Sequence, residues 1–353
     1  MGLKKLAQGK TLARRASEAK LNEAKLTSLL AQRLAKSLSQ SLVAWYAENK
    51  RPLPWRQSRD PYRIWISEVM LQQTTVTAVI PYYEKFVTRF ASVEKLAAAP
   101  ESEVLKYWSG LGYYSRARNI HKTAKAISGK SFPQTVDELL ELPGLGPYTA
   151  RAIASIAFDV PVGVLDGNVI RILSRVTGSP IQHWKAEGKN ILQQLADQLA
   201  KSQQASILNQ AMMELGATVC TPQKPTCIQC PWMANCAARN ENAISRLPLS
   251  KPRRKKEIWI WNPHLKTRAG QLALVKNDYA PFLKGSWLPP GQVLKVQSKP
   301  KKFDLKHTIT HHEIYVQISN SPLMGKGQKW FPIEKISSVN PSALLTKLLE
   351  LPR

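Results

Sequence analysis

The sequence predicts a chain of two domains, an all-α domain followed by a smaller domain built mostly of strands. Over residues 39–237, apolar residues recur at spacings of three and four, which is the pattern of amphipathic helices. After a charged run at 251–256, segments rich in Ile, Val and Trp replace that pattern and are typical of strands. The 353 residues are enough to form two hydrophobic cores.

The charge of the chain is strongly unbalanced. Against 24 Asp and Glu there are 51 Lys and Arg, which gives a net charge of +27 and a pI near 10.0. Such an excess repels itself unless it meets a polyanion, and DNA is the commonest one. A basic protein that its charge merely keeps soluble is the plainer alternative. Because no apolar run reaches about 18 residues, we expect no membrane span.

The predicted domain boundaries follow changes in composition. Residues 1–38 hold nine Lys and Arg and two Glu among Leu and Ala, and we expect a basic extension that faces DNA. An amphipathic helix or a targeting presequence also fits this segment. The remaining parts are a helical domain at 39–237, a basic linker at 238–257 and a second domain at 258–353. Strands are predicted at 257–261, 272–275 and 313–318.

A glycine-rich turn lies between two helical patterns, over residues 139–151. Pro143 ends the first helix, and Gly144 and Gly146 allow a tight turn. The unpaired N–H groups at the start of the next helix would then suit a DNA phosphate. An ordinary turn between two helices is the alternative.

One carboxylate follows this turn. Asp166 lies twenty residues after Gly146, in the run Leu165-Asp166-Gly167-Asn168. As the N-cap of the next helix it would accept backbone N–H bonds, and the helix N-terminus would keep it ionised. An isolated Asp of this kind is more often a cap than a catalyst, but it can serve as both.

The four cysteines of the chain lie within 17 positions. Their grouping indicates one metal or cluster site in a reducing compartment, since structural disulfides would be spread along the chain. Four thiolates bind either zinc or an iron–sulfur cluster, and the two close pairs usual in zinc fingers are not present here. The four residues are Cys220, Cys227, Cys230 and Cys236.

These features together resemble the helix-hairpin-helix DNA glycosylases, and further segments resemble the MutY family of adenine glycosylases. The resemblance runs over residues from about 40 to 240, through segments 51–56, 60–62, 65–74, 108–119 and 209–216. It implies an all-α glycosylase domain with a helix-hairpin-helix and a [4Fe–4S] cluster on the four cysteines. In that family the cluster braces a basic loop. A structural zinc site is the alternative.

The resemblance also implies a chemistry for two carboxyl groups. Adenine is a poor leaving group, so its ring must be protonated as the bond to the sugar breaks, which needs an acid held protonated near neutral pH. Glu68, flanked by Trp65 and Ile66, fits that acid, and an exposed helix carboxylate is the alternative. Asp166 would face the positive charge that develops on the sugar. Asn168 would support the sugar side of the site.

Position 148 bears on strand cleavage. Bifunctional relatives carry a Lys there that attacks the sugar as an amine, whereas this chain has Tyr148, which forms no imine. The resemblance further gives Tyr148 a part in positioning the reaction of Glu68 at the sugar. We therefore expect a monofunctional glycosylase.

By the same resemblance, an adenine pocket and a wedge that fills the gap in the DNA are implied. The pocket residues are Arg51, Trp55, Arg56 and Glu214, and the wedge residues are Leu71, Gln73 and Tyr113. Leu71 and Trp55 could equally be core residues and Tyr113 a surface aromatic. Gln73 is hardest to explain by packing, because amides are seldom buried without a partner.

The second domain resembles a shortened Nudix-like α+β domain that senses 8-oxoguanine. Thr310, where the family usually has Ser, and His311 match the loop that contacts the lesion. His307 follows Leu288 by only 19 positions, too few for the helices of a full domain, and the Nudix hydrolase motif is absent. His307 and His311 could also be ordinary strand histidines.

The sequence thus predicts removal of adenine opposite 8-oxoguanine or guanine by a monomer acting on double-stranded DNA, in the bacterial cytoplasm at the nucleoid. A glycosylase–lyase for oxidised pyrimidines is one alternative, against which Tyr148 and Glu68 argue. A DNA-binding module without activity is another. Against it stand Glu68 and Asp166, two carboxylates that a pure DNA binder does not need.

Overall fold

The computed structural model describes residues 36–252, 255–319, 327–340 and 342–351. The chain divides into two compact units, 1–251 and 252–353. The predicted basic extension lies outside the described residues up to position 35, and residues 36–38 begin the first helix.

The first unit is helical throughout its described part. Its α-helices are α1 (Lys36–Asn49), α2 (Pro61–Met70), α3 (Val76–Arg89), α4 (Val93–Ala98), α5 (Glu101–Trp108), α6 (Tyr114–Ile127), α7 (Val136–Leu140), α8 (Pro147–Phe158), α9 (Gly167–Thr177), α10 (Ala186–Ser202), α11 (Ala205–Thr218) and α12 (Ala237–Asn240). Short 3-10 turns occur at Pro54–Arg56, Cys227–Gln229, Met233–Asn235 and Ile244–Arg246. No helix among the described residues combines the length and apolar character needed to cross a membrane.

Two apolar cores lie side by side within this unit. The first contains Trp65, Tyr83, Phe86 and Trp108 and involves α2, α3, α5, α6 and α8. The second involves α1, α9, α10 and α11. Met213 of α11 packs against both cores. Because α2 belongs to the first core and α9 to the second, residues on these two helices can face each other across the junction.

Local signals place α2 and α9 accurately. Asp60 caps α2 by accepting a hydrogen bond from the Tyr62 N–H, and Pro61 occupies the first helical position, where no donor is needed. Asp166 caps α9, and that helix ends at Gly178, whose φ of +67° suits the left-handed C-terminal cap. Both helices therefore begin, and α9 also ends, where the local sequence predicts.

The second unit contains eight short strands and two short helices within its described residues. They are β1 (Glu257–Pro263), β2 (Thr267–Arg268), β3 (Gln271–Lys276), β4 (Trp287–Leu288), β5 (Gly291–Val296), β6 (Leu305–Ile309), β7 (His312–Val316), β8 (Lys329–Pro332), α13 (Ile336–Val339) and α14 (Ala343–Leu349). One sheet has the order β5-β1-β7-β6, with β1 and β7 parallel and the other pairs antiparallel. In the second sheet β3 is central and pairs with β2, β4 and β8.

The core of this unit lies under both sheets and the C-terminal helix. Trp261, Leu274, Ile314 and Leu345 are fully buried in it. The strands predicted at 257–261, 272–275 and 313–318 correspond to β1, β3 and β7, and the two helices make the unit α+β.

The boundary between the units falls within the predicted linker, at 251/252. The predicted linker begins at residue 238, but Ala238, Ala243 and Leu247 form a small buried cluster. The buried Arg175 of α9 also donates to the Leu247 carbonyl oxygen at 3.0 Å. Apolar residues within a basic stretch thus anchor positions up to 251 to the helical unit.

Candidate active site

Glu68 is buried on α2, with only 6% of its surface exposed, and lines a cavity at the junction of the two cores. The Tyr148 hydroxyl donates a hydrogen bond to its Oε2 at 2.8 Å. Burial raises the pKa of Glu68 to about 7; the bond from Tyr148 opposes the rise and the nearby charge of Asp166 adds to it. The alternative of an exposed helix acid is therefore wrong, and the carboxyl group holds a proton close to neutral pH.

Asp166 faces the same cavity from the start of α9. Its Oδ1 accepts from the Val169 N–H at 2.7 Å, and its Oδ2 accepts from Asn168 Nδ2 at 2.9 Å. Burial raises its pKa, while these hydrogen bonds oppose the rise because they favour the carboxylate. The expected N-cap bond from the Val169 N–H is confirmed, whereas the opposing effect of burial on the pKa of Asp166 was not part of the expectation.

Arg171 extends this arrangement towards the cysteines. Its Nη2 donates to Asn168 Oδ1 at 2.7 Å, and its Nε donates to the Cys220 carbonyl oxygen at 2.6 Å. A Cβ at Gly216 would lie 2.4 Å from that of Asn168, so only glycine fits there. Arg171 lies next to the Asp166 motif but received no role from the sequence. Its signal was its position four residues into a capped helix.

The far side of the cavity is an ion-pair cluster around Glu214. Arg51 donates to both of its carboxylate oxygens, at 2.6 and 2.9 Å, and Arg56 donates to Oε2 at 2.8 Å. Although burial opposes ionisation, the hydrogen bonds from the two guanidinium groups hold the pKa of Glu214 at about 2. Trp55 also lines the cavity and packs on Tyr83 at 5.3 Å between ring centroids. The structure thus brings the four predicted pocket residues together around one cavity.

The predicted wedge residues lie on two loops. Leu71 follows α2 and lines the cavity, while Gln73 and Tyr113 have φ of +60° and +48°. Gln73 is exposed, so the argument from a buried amide is wrong. Tyr113 is 62% exposed. Left-handed backbone in non-glycine residues is uncommon and collects at functional loops.

The predicted helix-hairpin-helix consists of α7, a turn and α8. Gly144 requires glycine for two reasons: its φ is +81°, and a Cβ there would lie 2.6 Å from the Asn119 side chain. Gly146 differs from the expectation, because its φ of −91° is open to any residue and its Cβ position faces open space. Gly146 is the N-cap of α8 and leaves room beside the first N–H groups of that helix.

The four cysteines line one cavity against α9 and α11. Its remaining walls include Ile172, Val176, Leu215 and Trp232. Among the described residues, the group of three or more ligand atoms lying within 4.8 Å of one another is Glu257, His311 and His312. Four thiols thus converge on one largely apolar cavity, which is a donor set suited to a metal ion or a cluster.

In the second unit, Thr310 and His311 form the turn between β6 and β7. Thr310 has φ +54°, which is rare for a β-branched residue, and its Oγ1 lies 3.2 Å from His311 Nδ1. His307 lies within β6, opposite Ile314, as an ordinary strand residue would. In the group of Glu257, His311 and His312, the Glu257 carboxylate forms an ion pair with Lys295 at 2.6 Å.

Comparison with known proteins agrees with this geometry. Residues 66–209 match the model of the HhH-GPD superfamily base excision DNA repair protein. A solved structure described as a thermostable thymine-DNA glycosylase superposes with a TM-score of 0.55 and 28% identity, covering 60% of this chain and 99% of that one. The helix-hairpin-helix glycosylase fold is thereby confirmed.

Two curated relatives define the family more closely. The adenine DNA glycosylase of Rattus norvegicus is 45% identical over 219 residues, which are 59% of this chain and only 42% of the rat protein. That of Buchnera aphidicola subsp. Baizongia pistaciae is 33% identical over 321 residues, which are 84% of this chain and 87% of that protein. The match to the second relative runs through both units, and the chain belongs to the adenine DNA glycosylase family.

Proposed function

We propose that this protein removes adenine from double-stranded DNA where it is mispaired with 8-oxoguanine or guanine. The observation that carries the proposal is the pair of carboxyl groups in one cavity. Glu68 is buried and bonded to Tyr148 at 2.8 Å, and Asp166 is held by Val169 and Asn168. Two carboxyl groups in different surroundings are what an acid and a charge stabiliser require.

The two groups divide the reaction between them. Protonated Glu68 donates its proton to an adenine ring nitrogen as the bond from sugar C1′ to adenine N9 breaks, and adenine takes the bonding electron pair. Ionised Asp166 stabilises the positive charge on the sugar. Water then adds its hydroxyl to C1′ and returns a proton to Glu68. The products are free adenine and an abasic site.

The Glu214 cluster offers recognition of the flipped base. Arg51 and Arg56 both line the cavity and form ion pairs with Glu214. Because these pairs hold the two guanidinium groups, their N–H groups are in fixed positions beside the cavity. Trp55 adds an aromatic wall beside them. A purine removed from the stack needs such a combination of apolar contact and fixed hydrogen-bonding groups. On the opposite loops, the exposed Gln73 and Tyr113 are suited to fill the gap in the duplex.

We further propose that the enzyme is monofunctional. Tyr148 is at the start of α8, and its side chain is a phenol whose hydroxyl donates to Glu68. It has no amine that could attack the sugar. Borohydride reduction of the enzyme with mispaired DNA should trap little covalent adduct. Efficient trapping would contradict this part of the proposal. A Tyr148→Lys variant shows whether an amine at that position can react.

The four cysteines would hold a [4Fe–4S] cluster. The sequence spacing of the four cysteines lacks the two close pairs usual in zinc fingers, and the apolar walls of their shared cavity suit an inorganic core. Such a cluster supplies a rigid crosslink between Cys220, Cys227, Cys230 and Cys236. Purified protein should be brown and contain iron; colourless protein with stoichiometric zinc would contradict the assignment.

Lesion sensing is assigned to the turn at Thr310 and His311 in a shortened Nudix-like second unit. The support is the exposed position of Thr310 and its left-handed backbone, which presents a hydroxyl and an imidazole at the tip of a hairpin. Strain of this kind persists where the surroundings enforce it.

The test is single-turnover release of adenine from duplexes with A opposite 8-oxoguanine, guanine or thymine. We expect rapid release from the first, slower release from the second and none from the third. Equal rates on the first two would contradict lesion sensing but leave the glycosylase. Tight binding without release from either mispair would favour the DNA-binding module instead.

A further inference from the structure

One guanidinium group contacts the end of the helix that carries Glu68. Arg116 lies in the first turn of α6 and is partly buried. Its Nη1 donates to the carbonyl oxygens of Val69, Met70 and Gln72 at 2.8, 3.3 and 2.7 Å. The last carbonyls of a helix have no partner within the helix, and a cation there is also favoured by the helix dipole. Arg116 therefore caps the C-terminus of α2 from another helix.

The same side chain reaches the second wedge loop. Its Nη2 donates to the carbonyl oxygens of Leu111 and Gly112 at 3.2 and 3.4 Å, directly before Tyr113. The guanidinium also stacks on Trp108 and Tyr113, at 5.3 and 5.5 Å from their ring centroids. One planar group thus contacts backbone on both sides of the wedge.

We propose that Arg116 is the positioning residue that fixes both wedge loops before DNA binds, so that Leu71, Gln73 and Tyr113 are in place when adenine leaves the stack. The inference rests on the proposed base-flipping function. Two loops separated by about 40 residues have no ladder of backbone bonds to join them, and a forked donor supplies that link. Lysine keeps the charge but cannot reproduce the planar fork.

The first experiment compares Arg116→Lys with Arg118→Lys. Arg118 is a matched control because it lies half a turn further along α6, is exposed, and pairs with Glu101. The probe is a duplex with A opposite 8-oxoguanine and 2-aminopurine beside the adenine, whose fluorescence rises as the stack opens. We expect Arg116→Lys to slow both stack opening and adenine release about tenfold, and Arg118→Lys to stay within twofold of the natural protein. Normal stack opening in Arg116→Lys would overturn the proposal, whatever its release rate.

A double-mutant cycle separates positioning from general damage. In a background with Gln73→Ala and Tyr113→Ala, two of the three wedge side chains are already removed, so Arg116→Lys should slow release less than threefold further. A full additional tenfold loss would overturn the proposal, because Arg116 would then act independently of the wedge.

Hydrogen exchange of the DNA-free protein gives a readout that does not depend on activity. Arg116→Lys should accelerate exchange of backbone amides at 71–75 and 110–115, and leave α9 and α11 unchanged. Unchanged exchange in both loops would overturn the proposal even in an active enzyme. If the natural protein released no adenine while the variant loosened both loops, the function proposed above would fail and the positioning role would stand.

Discussion

Glu68 and Tyr148 share one hydrogen bond in a buried place, and each changes the acidity of the other. Burial and then the Glu68 carboxylate raise the pKa of Tyr148, and the Tyr148 hydroxyl opposes the rise that burial causes in the pKa of Glu68. Sequence reasoning found Glu68, Asp166 and Tyr148 because they lie in recognisable motifs. It missed Arg116, since a long cation that caps carbonyl groups far along the chain leaves no local pattern, and it gave no role to Arg171 although that residue lies in the helix that Asp166 caps.

Glu68→Gln should change how stability depends on pH. The pKa of Glu68 is raised in the folded protein from 4.5 to about 7, so its contribution to the free energy of unfolding is complete below about pH 4.5 and is lost as the pH rises from there through 7. Glutamine does not ionise. Above pH 7 the variant should therefore be more stable than the natural protein, by up to about 3 kcal/mol for a shift of this size. Denaturant unfolding at pH 5 and pH 8 measures this, and an equal difference at both values would contradict it.

Tyr148→Phe should move the pH profile of adenine release. The hydroxyl bond favours ionised Glu68, so its removal raises the pKa of Glu68 further, and the decline in rate should begin at higher pH. Tyr107→Phe, elsewhere in the first core, is the control. An unshifted decline would mean that the hydroxyl does not influence Glu68.

At the scale of elements, the caps and turns were the most predictable features. Asp166 was expected to cap a helix and does, and Gly144 was expected in a tight turn and adopts φ +81°. Gly146 was expected to need glycine for the same reason and does not. The first part of the predicted linker contains buried residues, Ala243 and Leu247 among them, which its basic composition did not indicate. The basic residues of this stretch indicate its surface, whereas its few buried apolar side chains determine where the helical unit ends.

The loop of the four cysteines depends on Arg175. This buried side chain donates to the carbonyl oxygens of Thr221, Pro222 and Leu247, at 2.7, 2.7 and 3.0 Å. Arg175→Met would leave these acceptors without a donor, and we expect a loss of about 3 kcal/mol of stability together with lower iron content. Lys224→Met removes the same charge from an exposed position of the loop and should change neither. Equal iron and melting temperature in both variants would contradict the bracing role.

At the scale of the whole molecule, DNA as a partner was predicted from the net charge and the helical fold from the spacing of apolar residues. Both signals are averages over many residues. The placement of Glu214 against Arg51 was reached only through the family resemblance, since 163 residues separate them. Contacts of that kind depend on how the two cores pack, which no local pattern contains. The α+β character of the second unit followed partly from its strands, but its sheet order did not.

The net charge of +27 predicts steep salt dependence of DNA binding. Each phosphate contact contributes about 0.9 to the slope of log affinity against log salt, and we expect a slope of about −4 or steeper. Titration of a fluorescent duplex between low and moderate salt measures it. A nearly flat dependence of affinity on salt would mean that the excess positive charge of the protein does not contact the DNA phosphates.

The central claim is that Glu68 supplies the proton that lets adenine leave. Its most direct test is the pH dependence of single-turnover adenine release by the natural protein and by Glu68→Gln, on DNA with A opposite 8-oxoguanine. The natural rate should fall as the pH rises through about 7, where Glu68 loses its proton. Below pH 7, Glu68→Gln should be slower by at least about 100-fold while still binding the duplex, and this difference should narrow above pH 7, where the natural protein also loses the proton. A variant that releases adenine at the natural rate, or a natural rate that rises through pH 7, would contradict the account.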